Sequence, residues 1–148
     1  MLVDDDDGLR ANIAELIAAV AGVEVVSFSS GVEALITFTA APDALHFIVT
    51  DLNMPVMSGI DFCKRIKALR PHIKILLATG SGIVAPEEAR GFGFCGMISK
   101  PFDVATLQRA LVAAKTGAGE NRRTRMSGPQ ANNHQPNQAG NVPVCMAA

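Results

Sequence analysis

Apolar and polar residues alternate along this chain in two different periods, and the period switches at regular intervals. Met1, Leu2 and Val3 form a short apolar run, after which Leu9, Ile13, Leu16, Ile17 and Val20 recur at helical intervals, marking one face of a helix that Gly22 ends. "VEVVSF" (23–28) predicts a second strand, and Ser29 or Ser30 opens a helix through Ala34, Leu35 and Phe38. That helix must stop near Pro42, because proline lacks an amide hydrogen and biases the residue before it away from helical angles. "HFIVT" (46–50) and "KILLAT" (74–79) are continuous apolar runs, the pattern of strands buried on both faces. Between them Ile60, Phe62, Cys63, Ile66 and Leu69 predict a third helix ending at Pro71. A short helix around Pro86–Arg90 sits in the glycine-bearing stretch 80–93. "CGMIS" (95–99) predicts the last strand, and Val104, Leu107, Leu111 and Ala114 predict a closing helix.

Strands alternating with helices in this way predict a parallel sheet covered on both faces and wound through right-handed crossovers. At 148 residues, 49% of them hydrophobic, the chain has material for one core, so one domain is expected over 1–115. From Thr116 the text becomes "TGAGENRRTRMSGPQANNHQPNQAGNVPVCMAA", rich in Gly, Asn, Gln and Pro and without apolar period. A disordered tail over 116–148 is therefore expected, with no helix-turn-helix to read DNA. A formal charge of −1 gives no basic field for nucleic acid or a membrane surface. Cys63, Cys95 and Cys145 are odd in number and lack metal-type spacing. No signal-peptide pattern or membrane-length apolar stretch accompanies them, so a reducing cytoplasm is expected.

Parallel sheets bind ligands at the carboxyl ends of their strands. Here those ends deliver Asp4 and Asp5, Asp51, Thr79 and Lys100. Carboxylates gathered at one edge raise one another's pKa unless a cation neutralises them. Asp5, Asp51 and a nearby backbone carbonyl offer a few hard oxygens, too few for an all-protein calcium cage but suited to Mg²⁺, which keeps several waters. An EF-hand is excluded by register: with Gly8 at loop position six, Val3 and Ala14 would occupy the first and last ligand positions. Phosphoryl transfer needs a placed nucleophile and positive charge around the moving oxygens. Asp51 supplies the first, Mg²⁺ and Lys100 the second, and Thr79 a hydroxyl donor. Asp6 and Asp7 fall where a helix begins and suit its N-cap and dipole. Met54, Met57 and Met97 are read as packing residues.

"LVDDDDGLR", "VTDLNMPVMSG", "LLATG" and "ISKPF", in that order and over residues 1–115, resemble the receiver domain of two-component response regulators. The resemblance implies a flavodoxin-like, doubly wound sheet of five parallel strands in the order 2-1-3-4-5. It implies that Asp51 accepts phosphate from a phosphohistidine of a sensor histidine kinase or phosphotransfer protein. Asp5 would bind Mg²⁺ directly, Asp4 through water, and Asn53 by its backbone carbonyl, while Thr79 and Lys100 would contact the phosphoryl oxygens. The Lys100–Pro101 bond is expected to be cis. Activity would be limited to accepting and hydrolysing the protein's own phosphate, with the output being altered binding of a downstream protein.

Two departures stand out. Met97 occupies the position three before the lysine where receivers usually carry an aromatic, with Phe92 and Phe94 nearby, and only Met1, Leu2 and Val3 precede the acidic run. Two other readings compete. "DDDG" also fits the D-x-D-G nucleophile loop of haloacid-dehalogenase-type phosphatases, although the order of motifs and the lack of a cap domain disfavour it. A non-phosphorylated receiver-like interaction domain is disfavoured by the complete set of site residues.

Overall fold

The computed structural model describes residues 1–80 and 84–116. Residues 117–148 of the tail expected from 116 onward, and 81–83 of the glycine-bearing stretch after Thr79, lie outside them, while Thr116 itself belongs to the last helix. Helix starts are set by side chains that accept from otherwise unpaired amides. Asp6 keeps extended backbone angles and its carboxylate accepts from the Leu9 amide at 2.9 Å, capping α1 (Asp7–Ala21). Gly22 ends that helix in the left-handed region at φ 64°, where glycine carries no steric penalty. Ser30, rather than Ser29, caps α2 (Gly31–Ala40), and Ser58 caps α3 (Gly59–Leu69) through the Asp61 amide at 3.1 Å. A 3₁₀ turn at Pro42–Ala44, which the hydrophobic pattern does not reveal, follows α2.

The strands are β1 (Leu2–Val3), β2 (Ser27–Phe28), β3 (Phe47–Asp51), β4 (Lys74–Thr79) and β5 (Gly96–Ser99), with α4 (Pro86–Gly91) and α5 (Val104–Thr116) completing the series. All pair in parallel in the order β2-β1-β3-β4-β5, as the resemblance implies. The expected strand 23–28 is a correction. Only Ser27 and Phe28 pair, because β1 offers them only Leu2 and Val3 as partners, and Val23 and Val26 are left exposed.

Successive strand residues point to opposite faces, which builds two core layers. Val3, Ile48, Ile75 and Leu77 meet Phe38, Phe62 and Ile66 from α2 and α3. Leu2, Val49, Leu76, Ala78 and Ile98 meet Ile13 and Ile17 of α1 and Leu107 and Leu111 of α5. The helices therefore cover both faces and leave the carboxyl rim of the sheet for chemistry. The strand order reverses between β1 and β3, the point at which such sheets open a crevice.

The loop from β3 to α3 is folded tightly onto that crevice. The Gly59 amide donates to the Leu52 carbonyl at 2.8 Å, and a Cβ on Gly59 would lie 2.1 Å from the Asp51 carbonyl oxygen. Gly59→Ala is expected to cost on the order of 3 kcal/mol, because backbone rather than a pliable side chain blocks the added methyl. Gly91→Ala, which meets nothing within 4 Å, leaves stability unchanged or slightly raised. Denaturant midpoints of the two variants check the contrast.

Candidate functional site

Three strand ends bring charge together at the crevice. Asp4 follows β1 and is only 1% exposed. Its Oδ1 accepts from the Asp6 amide at 3.1 Å and its Oδ2 from Lys100 Nζ at 2.6 Å, while its backbone carbonyl accepts from Arg10 Nη1 at 2.8 Å. Asp51 closes β3; its Oδ1 accepts from the same Lys100 Nζ at 2.6 Å and its Oδ2 from the Asn53 amide at 2.7 Å. Thr79 is buried at the end of β4, and its carbonyl accepts from the Lys100 amide at 2.8 Å. This bond sets the lysine as the chain leaves β5, and the Lys100–Pro101 bond is cis, as expected.

One ammonium thus bridges two carboxylates that are nearly out of contact with water. Burial by itself disfavours the charged amine, but the hydrogen bonds and charges of Asp4 and Asp51 outweigh it and hold the Lys100 pKa above its ordinary 10.5.

Asp5 differs from its neighbours. Its side chain is exposed and makes no hydrogen bond or ion pair among the described residues. Three carboxylates thus stand against one lysine, with only Asp4 and Asp51 paired to it, an excess of negative charge and hard oxygen that fits a small divalent cation retaining its own waters. The carboxylates do not enclose an ion by themselves, however. Among the described residues no three acidic, histidine or cysteine side chains form a metal-holding group. Lys100 stands between Asp4 and Asp51 and offsets at short range the repulsion between them. Asn53 is seen to engage through its amide on Asp51, a contact that motif reading missed in favour of its carbonyl.

Arg10 was also missed, although its spacing from Asp7 at i, i+3 is a recognisable pairing signal. The second acid of the D-x-D-G pattern, Asp7, lies in the first turn of α1 and pairs with Arg10. Met54 and Met57 are buried as expected and Met97 packs half-buried against the same core layer, while Phe94 is buried and Phe92 lies under the Lys64 ammonium at 5.6 Å. Burial pushes the Cys63 thiol up to about 11 and raises Cys95 as well, so both stay protonated and unreactive at neutral pH.

The family model described as "Response regulator receiver domain" matches residues 1–112. This chain belongs to the response regulator receiver family. Nodulation protein W of Bradyrhizobium diazoefficiens is 36% identical over 115 residues, covering 76% of this chain and 49% of that protein. Transcriptional regulatory protein FixJ of Azorhizobium caulinodans is 32% identical, covering 76% and 53%. The receiver chain therefore spans about half the length of these curated relatives. It matches 97% of response regulator receiver protein CpdR of Brucella abortus, at 30% identity and over 77% of itself. Among solved structures, a response regulator receiver domain protein from Clostridium thermocellum superposes with a TM-score of 0.71 at 30% identity, covering 78% of this chain and 91% of that one. Chemotaxis protein CheY4 of Vibrio cholerae gives 0.67 at 31%, covering 76% and 94%. No helix among the described residues is long and apolar enough to cross a membrane.

The receiver's loop after Asp51 also carries backbone strain. The Met57 amide donates to the Pro55 carbonyl at 2.7 Å around Val56, whose φ is 68°, a tight γ-turn that is costly for a β-branched residue. Val56 is 95% exposed, so its side chain returns nothing to the fold. Val56→Asn, which tolerates the left-handed region, is expected to raise stability by about 1 kcal/mol, read as a higher urea midpoint.

Lys100→Met in metal-free buffer is expected to cost about 3 kcal/mol near neutral pH, because it strands two buried carboxylates. A raised folded pKa means that the lysine's stabilisation is complete below 10.5 and fades as the pH climbs through the raised value. Unfolding curves of both proteins from neutral pH upward check the cost and its fading.

Proposed function

We propose that this receiver is a phosphoacceptor module. Asp51 takes a phosphoryl group from the phosphohistidine of a sensor histidine kinase or phosphotransfer protein, and the phosphorylated state alters binding of a downstream protein. The observation that carries this reading is the single ammonium of Lys100 held 2.6 Å from both Asp51 and Asp4. It places fixed positive charge beside the one carboxylate that ends a central strand. In the transfer, an Asp51 carboxylate oxygen forms a bond to phosphorus as the bond from phosphorus to the imidazole nitrogen breaks, and the electron pair of that bond leaves with the imidazole.

Each neighbour has a part. The Asn53 amide on Oδ2 fixes the plane of the nucleophile, which lowers the cost of reaching a reactive geometry. Lys100 and the Thr79 hydroxyl contact the phosphoryl oxygens as charge spreads over them. Mg²⁺ would be held directly by Asp5, Asp51 and the Asn53 carbonyl and through water by Asp4; it supplies further positive charge for those oxygens. The exposed, unbonded Asp5 supports that assignment, since a carboxylate without an internal partner is free to take a ligand. The receiver module acts on its own aspartyl phosphate and works in the cytoplasm.

Incubation with acetyl phosphate and Mg²⁺ is expected to add one phosphoryl group, labile at alkaline pH. Intact-mass measurement should find it lost in Asp51→Asn and slowed roughly tenfold or more in Lys100→Met. An unmodified parent protein under these conditions overturns the reading.

A further inference from the structure

Four consecutive aspartates repel one another, and the structure gives each a different fate. Asp4 has its two carboxylate oxygens and its carbonyl all occupied, Asp6 caps α1, and Asp7 pairs with Arg10. Asp5 alone of the four is left without an internal bond among the described residues. We infer that Arg10 is the positioning residue that imposes this division, bracing the turn so that Asp5 presents its carboxylate to the cation bound beside Asp51. The inference rests on the phosphoacceptor reading above.

Arg10 lies in the first turns of α1, where a positive charge opposes the helix dipole and an acid is the favoured residue. Its side chain is nonetheless drawn in, only 17% exposed, and folds back toward the strand end. One guanidinium nitrogen reaches the Asp4 carbonyl, six positions earlier and just beyond the last residue of β1, and the other takes the Asp7 carboxylate. The two contacts straddle Asp5 and Asp6. A planar fork with two fixed donors holds both ends of that segment at once, which a single ammonium cannot do. With the Asp4 carbonyl fixed from one side and its side chain fixed by Asp6 and Lys100 from the other, the peptide leading into Asp5 has little freedom left. Asp6 is tied to the helix end by its cap. The direction in which the Asp5 side chain leaves the backbone is thereby set by bonds that Asp5 itself does not make.

The test measures Mg²⁺ binding to the full chain by calorimetry with magnesium chloride alone, beside unfolding curves and hydrogen exchange of the Asp6 amide in metal-free protein. Arg10→Ala is expected to weaken Mg²⁺ binding tenfold or more, the usual effect of removing a support behind a ligand, and to speed Asp6 exchange. Arg10→Lys restores the charge but not the fork and recovers only part of the affinity. Asp7→Asn, which loosens one of the two anchors of the fork and leaves the bond to the Asp4 carbonyl, is expected to fall between the parent and Arg10→Ala. Should Arg10→Ala not fold, Arg10→Gln, which keeps one donor for the Asp4 carbonyl, takes its place with the same expectations at smaller size. A folded Arg10 variant with parental affinity and parental Asp6 exchange overturns the inference while leaving the phosphoacceptor reading intact. A parent protein that neither binds Mg²⁺ nor takes phosphate from acetyl phosphate overturns both.

Discussion

Lys100 joins Asp4 and Asp51 across 96 and 49 positions of sequence through one ammonium group, and the geometry of the carboxyl rim depends on that bridge. Two carboxylates so poorly exposed to water repel strongly, since the local dielectric is low. A cation between them turns the same low dielectric into attraction. The bridge is possible only because the sheet sets β1 and β3 side by side and the chain leaves β5 with the lysine amide tied to Thr79. Core packing thus decides the site before any site residue does. The two apolar layers fix the strand order, and the strand order fixes which polar termini can meet.

The loop between β3 and α3 shows how closely fold and site are joined. Gly59 presses against the carbonyl of Asp51, Met54 and Met57 are buried, and Val56 is held in an unfavourable backbone conformation between those two methionines. A segment over-determined by its neighbours can carry such strain. The consequence for Asp51 is a carboxylate whose backbone is fixed by packing and whose second oxygen is fixed by Asn53. On the phosphoacceptor reading proposed above, little has to reorganise when a phosphoryl group arrives.

Membership of the receiver family agrees with this arrangement over residues 1–112, and the departures from the family pattern have physical content. Met97 stands where an aromatic is usual and packs half-buried against the layer that contains Phe38 and Phe62. An unbranched thioether there has more ways to repack than a ring hinged at one bond. The shortness of β1 carries through to β2, which finds only two residues to pair with. Asp4, just beyond β1, is held by contacts with Asp6, Arg10 and Lys100.

Much of this was legible in the amino-acid sequence. Periods of two and of three to four residues mark strands and helices because burial of one face imposes them, and Asp6, Ser30, Gly22 and Pro42 punctuate the chain for local steric and hydrogen-bonding reasons. The residues at the strand ends, Asp4, Asp51, Thr79 and Lys100, follow from the same pattern once the strands are placed. What only the tertiary structure decided is how chemically identical residues divide their work. The helix start marks Asp6 and Asp7 as its cap and first-turn acid, but nothing within "DDDD" distinguishes the aspartate that is buried and bridged from the one that faces water. Those differences arise from Lys100 and Arg10, and a side chain's electrostatic surroundings are set by what folding brings beside it, whereas its secondary structure is set largely by its neighbours along the chain.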